Sequence, residues 1–231
     1  MFAGKSYSEK AKKAYVPIRE FVDVNRISLG KNTSTILHVD PKLFLFTLAK
    51  YKFAAKMLEG KDVIELGCMD GGGTILLSNM VSSVVAIDFY EDHIKDCLRI
   101  KEQGFFNNVD FYHRNILDEN ADFKNRFDGA ICFDVLEHLD PKDSSFFFEK
   151  CKSYLNPNGI FIGGVPSIES QLYASEVNKE SHINCMEFKE LISLANKSFK
   201  NVLPFGMNDE IIHTGYRKMC HYNIVVCSFP R

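Results

Sequence analysis

Val63-Ile-Glu-Leu-Gly-Cys-Met-Asp-Gly-Gly-Gly-Thr74 is an apolar run that breaks into a glycine-rich segment. This order predicts a buried strand, a tight turn and the start of a helix. Glycine lets the turn approach a ligand closely, and the first N–H groups of a helix lack intrahelical partners. A second apolar run ends in Asp88, about 20 residues after the first glycine, where nucleotide-binding folds place the carboxylate that binds ribose. The two motifs together predict a site for a nucleoside-containing cofactor.

The nature of the cofactor follows from what the turn lacks. A dinucleotide fingerprint needs glycine at its second position, so that pyrophosphate can lie on the backbone, and Met69 stands there. Glu65 would repel phosphate but suits a ligand with an ammonium and a sulfonium group. S-adenosylmethionine has adenosine, ribose and positive charge without phosphate. The stretch resembles the first motif of the class I S-adenosylmethionine-dependent methyltransferases, an acidic-apolar-Gly-x-Gly-x-Gly run, with Met69 in place of the middle glycine.

Two further motifs extend the resemblance to roughly residues 45–200. Asp134-Val-Leu-Glu137-His138 is similar to a signature of the ubiquinone-pathway type of methyltransferase, and Leu155-Asn-Pro-Asn-Gly159 resembles a turn that the family uses before its fifth strand. The resemblance implies a three-layer, Rossmann-like α/β sandwich. Its sheet would have seven mostly parallel strands, with an antiparallel last strand inserted beside the sixth.

Periodicity gives the individual elements. Apolar runs predict strands at 62–66, 83–88, 108–113, 128–133, 159–164, 199–205 and 221–229, and helices at 72–80, 91–103, about 143–155 and 186–197. Asp40-Pro41 is a helix-start signal for a helix that runs to Gly60. The chain therefore divides into an N-terminal helical arm or lid, residues 1–40, with an amphipathic helix within 5–30, and a methyltransferase domain, residues 41–231.

The resemblance assigns roles at the cofactor. Asp88 would accept hydrogen bonds from the ribose, Phe89 would stack on adenine, and Asn115 would lie near the adenine amino group or simply satisfy its own turn. Glu65 and Gly67 would lie under the methionine end. The whole predicted cofactor set is Tyr51, Glu65, Gly67, Cys68, Met69, Gly71, Asp88, Phe89, Asn115, Ile116, Phe133 and Asp134.

Two histidines are the candidate catalytic residues. A hydroxyl acceptor must lose its proton for methyl transfer, and histidine has a suitable pKa for this task. His138 follows the fourth predicted strand and His182 precedes the sixth helix; each could instead be structural or merely exposed. Four residues of the long polar segments are expected to contact the acceptor: Tyr173, Asn184, His213 and Tyr216.

The composition limits the classes of partner that we expect for this protein. The 231 residues are 45% hydrophobic and 25% charged, with a net charge of −2, which argues against nonspecific binding to nucleic acid. The seven scattered cysteines show no metal-ligand spacing, so no metal site is predicted. No apolar run is long enough to span a bilayer. We expect a cytoplasmic protein without membrane or nucleic-acid partners; a homodimer is left open.

The leading interpretation is methyl transfer from S-adenosylmethionine to a small molecule, at a hydroxyl of a sugar, glycan precursor or secondary metabolite. A catalytically silent binding or scaffold subunit is the alternative from another class, because Met69 could narrow the cofactor pocket. A nucleic-acid methyltransferase is disfavoured, since neither an Asn/Asp-Pro-Pro-Tyr/Phe motif nor a Pro-Cys nucleophile is present. A nicotinamide-dependent oxidoreductase is opposed by Met69.

Overall fold

One mixed sheet forms the centre of the molecule. The computed structural model describes residues 8–24 and 27–231, without the side chains of residues 20–24. Within that part of the chain, eight strands are ordered β3-β2-β1-β4-β5-β8-β6-β7. Their bounds are β1 Asp62–Leu66, β2 Ser83–Asp88, β3 Val109–His113, β4 Phe127–Phe133, β5 Leu155–Pro166, β6 Phe199–Asn208, β7 Ile211–His213 and β8 Tyr222–Pro230.

Helices cover both faces of this sheet. The described helices are α1 Glu9–Val24, α2 Lys31–Val39, α3 Pro41–Met57, α4 Thr74–Ser78, α5 Glu91–Glu102, α6 Ser144–Tyr154, α7 Glu176–Ser181 and α8 Phe188–Ser198. Two hydrophobic clusters lie on opposite sides of the strands, and alternate residues of β1 divide between them: Ile64 packs in one and Val63 in the other. Burial on both faces explains why the strands are continuously apolar in sequence.

The predicted fold class is confirmed. Strands β1 to β5 are parallel, and β8 pairs antiparallel with both β5 and β6, so the last strand is inserted as expected. Three details differ from the prediction. β7 adds an eighth strand, β5 already begins at Leu155, where a turn was expected, and α4 is shorter than the predicted helix 72–80.

Helix α3 begins where the sequence indicates. The side chain of Asp40 accepts a hydrogen bond from the Leu43 backbone N–H, and Pro41 occupies the first helical position. The buried face of α3 carries Lys50 and Tyr51 together with small alanines. This face lies over the carboxyl ends of β1 and β4, where Tyr51 and Lys50 meet Glu65 and Asp134.

The N-terminal arm differs between its two helices. The described side chains of α1 are exposed, including Tyr15, Val16 and Ile18, and the predicted amphipathic helix therefore has no covered apolar face among them. Residues 1–7 and 25–26 of the predicted arm lie outside the described residues. Helix α2, in contrast, packs on α3 and on the glycine-rich turn. Among the described helices, none has the length and apolar character needed to cross a membrane.

Candidate active site

The glycine-rich turn after β1 has a left-handed backbone at three positions. Gly67 and Gly71 have φ values of 85° and 84°, and Met69 has a φ of 50°. Met69, which stands where the resembled first motif has its middle glycine, therefore has a left-handed backbone like Gly67 and Gly71. A left-handed conformation costs a residue with a side chain about 1–2 kcal/mol. The turn keeps the shape that a close backbone approach to a ligand requires.

Two glycines of this turn are needed for packing rather than for dihedral freedom. A Cβ atom at Gly72 would lie 2.4 Å from Thr33 Oγ1, and a Cβ at Gly73 would lie 2.2 Å from the ring of Tyr51. Both contacts come from helices N-terminal to β1. The glycine run thus lets α2 and α3 close directly onto the turn.

Glu65 lies buried beneath the turn with both carboxylate oxygens partnered. Tyr51 donates its hydroxyl to Oε1 at 2.7 Å, and Thr74 donates its hydroxyl to Oε2 at 2.8 Å. Burial raises the pKa of Glu65 to about 7, against the lowering effect of these two hydrogen bonds. Glu65 therefore ties α3, β1 and α4 together and still offers negative charge to a cationic ligand above neutral pH.

Asp88 ends β2 beside the same turn. Its Oδ2 accepts from the Met69 N–H at 2.8 Å, and its Oδ1 accepts from the Tyr90 N–H and from His93 Nδ1, both at 2.9 Å. A carboxylate has about four acceptor positions, and three are used here. The structure thus brings the predicted ribose acceptor against the glycine-rich turn, as the spacing of the two motifs implies.

The N-terminal arm is linked to Asp88 by hydrogen bonds through the side chain of His93. Asn32 donates to His93 Nε2 at 2.7 Å, so the His93 ring links the arm to the carboxylate of Asp88. Helix α2 has no side-chain cap of its own, and carboxylates of the domain supply one. Asp70 accepts from the backbone N–H of Thr33 at 2.8 Å and Asp96 accepts from that of Lys31 at 3.0 Å. Carboxylates at a helix N-terminus are stabilising, so α2 is held over the turn electrostatically.

The remaining predicted cofactor residues line the same edge with different exposure. Phe89 is exposed and contacts Tyr90 edge to face. Asn115 Oδ1 accepts from the Leu117 N–H at 2.9 Å, which is the turn role that the sequence left open. Ile116, Cys68 and Phe133 are buried below this edge.

Lys50 is a site residue that the sequence analysis missed. It is only 4% exposed, forms an ion pair with Asp134, and places Nζ 4.1 Å from the centre of the Tyr222 ring. Asp134 has a φ of 57°, and its N–H donates to the Tyr222 hydroxyl at 3.2 Å. The sequence does contain a signal for Lys50: this lysine is four residues from both Phe46 and Ala54, and so lies on the apolar side of α3.

The end of β4 brings together three groups that can donate lone pairs. Glu137 is 0% exposed, and the rings of His138 and His182 meet edge to face with 5.1 Å between their centroids. Each of the three residues offers one ligand atom, and these atoms all lie within 4.8 Å of one another. The two predicted catalytic histidines are therefore neighbours, although 44 residues separate them in sequence.

Hydrogen bonds fix the tautomer of both rings. His138 Nδ1 lies 3.0 Å from the Ser181 carbonyl oxygen, and His182 Nδ1 lies 3.1 Å from Gln171 Oε1. Both partners are acceptors, so each Nδ1 carries the proton and each Nε2 of the neutral ring carries a lone pair. Burial and the nearby His138 lower the pKa of His182. The neutral, electron-donating form of this ring is therefore favoured.

The predicted acceptor residues divide into two groups. Tyr173 and Tyr216 are 89% and 69% exposed, with their side chains free to meet a ligand. Asn184 is buried and uses both amide hydrogens on the Leu136 carbonyl and the Ser144 hydroxyl. His213 lies on β7, where it accepts from the Gly215 N–H and donates to the side chain of Asn208 on β6. β7 is four strand positions from β4, which is roughly 19 Å at normal strand spacing.

The fold and the site define an α/β domain whose predicted cofactor edge runs from Asp88 on β2, across Glu65 on β1, to Asp134 directly after β4. A family model described as "Methyltransferase domain" matches residues 58–210. The chain belongs to this family, and more narrowly to the class I S-adenosylmethionine-dependent methyltransferases. S-adenosylmethionine is the cofactor of that class.

Individual relatives are distant. A ubiquinone biosynthesis O-methyltransferase of Chelativorans sp. is 28% identical over 147 residues, covering 62% of this chain and 51% of the relative. A protein of Mycolicibacterium smegmatis, named a probable S-adenosylmethionine-dependent methyltransferase, is 27% identical over 117 residues, covering 51% of this chain and 42% of the relative. The chain thus spans about half the length of the curated relatives it matches.

A solved structure carries the same fold. The N-methyltransferase NodS from Bradyrhizobium japonicum, in complex with S-adenosylhomocysteine, superimposes with a TM-score of 0.59 at 14% identity. The match covers 84% of this chain and 90% of NodS. The chain is thus similar both to a protein named for oxygen methylation and to one named for nitrogen methylation.

Proposed function

We propose that this domain transfers the methyl group of S-adenosylmethionine to a hydroxyl of a small molecule, such as a sugar, a glycan precursor or a secondary metabolite. One observation carries the proposal: Asp88 ends β2, His138 follows β4 and contacts His182, and both strands end at one edge of the sheet with β1 between them. Two strand spacings amount to about 10 Å. An adenosine at Asp88 would direct the methionine end across Glu65 towards the histidines.

The cofactor groups match the chemistry of the residues along this edge. Ribose hydroxyls can donate to Asp88, and the exposed ring of Phe89 can stack on adenine. The ammonium and sulfonium groups suit the negative charge of Glu65. The carboxylate of the methionine end suits Lys50. The positive charge of Lys50 is otherwise balanced by Asp134.

The acceptor would meet the methyl group at the end of β4. Methyl transfer is an in-line displacement, so positioning supplies much of the rate. A hydroxyl also needs a group that stabilises loss of its proton, and His138 and His182 present their Nε2 lone pairs here. The exposed Tyr173 lies on the same segment as His182 and would cover the acceptor.

We further propose that residues 1–40 act as the lid of this site. The contacts of Thr33 with Asp70 and of Asn32 with His93 support this role, because both Asp70 and His93 border the cofactor edge. The lid would exclude water from the transferred methyl group.

Calorimetry with S-adenosylhomocysteine and, separately, NADH tests the cofactor. We expect binding of the first alone, and a loss of about 10- to 150-fold in affinity for Asp88→Ala, because one charge-assisted hydrogen bond to the open acceptor position of Asp88 contributes about 1.5–3 kcal/mol. Asp92→Ala is the matched control, since Asp92 is an exposed carboxylate four residues further along, in the first turn of α5. Unchanged binding by Asp88→Ala, or binding of NADH, would contradict the proposal.

The acceptor class needs a second assay. Formation of S-adenosylhomocysteine should be measured with matched small molecules that carry a hydroxyl, an amine or a thiol on the same ring. Turnover with hydroxyl compounds supports the proposal, whereas turnover confined to amines would establish nitrogen methylation. Tight cofactor binding with no turnover on any acceptor would favour the silent-subunit alternative.

A further inference from the structure

We infer that Glu137, His138 and His182 form a binding site for one divalent transition-metal ion. Zn²⁺ represents this class of ion in the distances and the test below. The cysteine spacing predicts no metal site, so this site departs from that prediction. The ion would occupy the end of β4, where the acceptor of the proposed methyl transfer has to lie.

The first support is the state of Glu137. Its carboxylate is fully buried, and neither oxygen has a hydrogen-bond partner in the described part of the chain. A buried carboxylate without partners is costly, by several kcal/mol for the charged form. A bound cation would give the charged carboxylate a partner, through both of its oxygens or through one of them.

The second support is the preparation of the two imidazoles. Ligating histidines normally donate their other ring N–H to a carbonyl or carboxyl group, which fixes the ring and its tautomer. His138 and His182 do so, through the Ser181 carbonyl and Gln171. Both Nε2 lone pairs are left free for a common ligand.

The geometry and charge fit an ion of this size. Zinc–ligand distances near 2.1 Å place the ligand atoms of a tetrahedral site about 3.4 Å apart. The three candidate atoms lie within 4.8 Å of one another, a gap that small side-chain rotations close. Asp134 adds negative charge nearby, and its effect on the pKa values of Glu137 and His182 is upward in both cases.

The donor set decides the class of ion. Two imidazoles and one carboxylate are the ligands of catalytic zinc sites that keep a fourth position open, and imidazole disfavours Mg²⁺ and Ca²⁺. His138 is exposed, so the fourth position would face solvent and the acceptor.

The chemical role rests on the proposed oxygen methylation. An acceptor hydroxyl in the open position would have its pKa lowered by the ion and would release its proton to water. The oxygen would then attack the methyl carbon, the carbon–sulfur bond would break, and its electron pair would remain on sulfur as a neutral thioether. The ion, rather than a free imidazole base, would activate the hydroxyl.

Binding of the metal alone tests the site without any need for activity. Metal-stripped protein should be titrated with Zn²⁺, Mn²⁺ and Mg²⁺ by calorimetry, in the absence of cofactor and acceptor. We expect one Zn²⁺ per chain, Mn²⁺ at the same stoichiometry, and Mg²⁺ at least about tenfold weaker than either. Glu137→Gln and His182→Ala should each weaken Zn²⁺ binding by about 100-fold or more, since one of three ligands is lost.

Two further variants make the test specific. Gln171→Met removes the partner of His182 Nδ1 together with the long hydrogen bonds of Gln171 to Ser167 and Ser170, and it should weaken binding by about tenfold. Glu180→Gln is the control, because Glu180 is an exposed acid of the same segment outside the cluster. His182→Ala changes a half-exposed side chain and keeps the test valid if Glu137→Gln fails to fold.

The outcomes separate this inference from the proposed function. No Zn²⁺ binding by the wild-type protein, or equal binding by folded His182→Ala, would overturn the metal site. Specific metal binding together with absent hydroxyl methylation would instead leave the site standing and refute the proposed reaction. Turnover that persists in the metal-stripped enzyme would return the activating role to an imidazole base.

Discussion

Glu65 and Glu137 are two buried glutamates at the same edge of one sheet, and their surroundings differ completely. Glu65 accepts hydrogen bonds from Tyr51 and Thr74, whereas neither oxygen of Glu137 has a partner among the described residues. The buried carboxylate at the proposed cofactor end is therefore satisfied within the described residues, and the one at the proposed acceptor end is not. Burial raises the pKa of both residues, so the difference lies in bonding rather than in exposure.

The largest effect that separates the two glutamates is on stability. At pH 5, Glu65→Leu should lower the free energy of unfolding by roughly 4 kcal/mol, because two buried hydroxyls lose their acceptor at about 1–3 kcal/mol each. A chain of this length should lose about 8–16 °C in Tm. Glu137→Leu, measured in a chelator, should cost less than about 1 kcal/mol or stabilise, since no hydrogen bond is lost.

Urea unfolding of both leucine variants measures this difference. Replacement by leucine keeps the volume close to that of glutamate, so cavity formation affects the two sites alike. An equal loss of stability at both positions would show that Glu137 has a partner of its own in the folded protein.

Much of the fold could be predicted, for identifiable physical reasons. The runs 62–66 and 83–88 coincide with β1 and β2, because strands buried on both faces are continuously apolar. β7 was missed since only Ile211 and Ile212 are apolar in a polar segment, and such a short strand depends on pairing with β6.

The site was predictable where one motif carries it and not where distant segments meet. Glu65 and Asp88 follow from their positions at strand ends. The Lys50–Asp134 pair joins residues 84 positions apart and depends on how α3 lies over β4. His138 and His182 were both identified, but their association with Glu137 depends on the path of residues 171–184, which no periodicity encodes.

The second largest effect is the pH dependence of Glu65. The folded-state pKa of about 7 lies above the ordinary value of 4.5, so the folded protein binds the proton more tightly than the unfolded chain. Its contribution to stability is therefore present below pH 4.5 and is lost as the pH rises through about 7. Full loss corresponds to about 3 kcal/mol at 1.36 kcal/mol per pKa unit.

Glu65→Gln isolates this contribution. Glutamine keeps an acceptor for Tyr51 and does not ionise, so the free energy of unfolding should depend less on pH between 4.5 and 8 than in the wild type. Glu59→Gln, which removes an exposed acid close by in the chain, should leave the wild-type pH profile unchanged. Identical slopes for wild type and Glu65→Gln would show that Glu65 is not buried as an acid.

A smaller effect is expected where the arm completes the cofactor end. Thr33→Val removes the hydroxyl hydrogen bond to Asp70 and keeps the backbone one, at a cost of about 1–2 kcal/mol. Thr35→Val is its matched control on the same helix, because the Thr35 hydroxyl bonds only to the Lys31 carbonyl within α2. Equal urea midpoints for the two variants would mean that α2 does not close the turn in solution.

The smallest effect concerns Met69, the residue that keeps the silent-subunit alternative open. Because Met69 already has the left-handed φ that glycine prefers, Met69→Gly should stabilise the protein by at most about 1 kcal/mol. Affinity for S-adenosylhomocysteine should change by less than about threefold, or 0.65 kcal/mol, since the backbone donor to Asp88 is unchanged. Asp209→Gly relieves a similar φ of 48° in the exposed β6–β7 turn and controls for the stability gain alone. If Met69→Gly instead raised the affinity more than about tenfold, the methionine side chain would be blocking the cofactor, as the silent-subunit alternative requires.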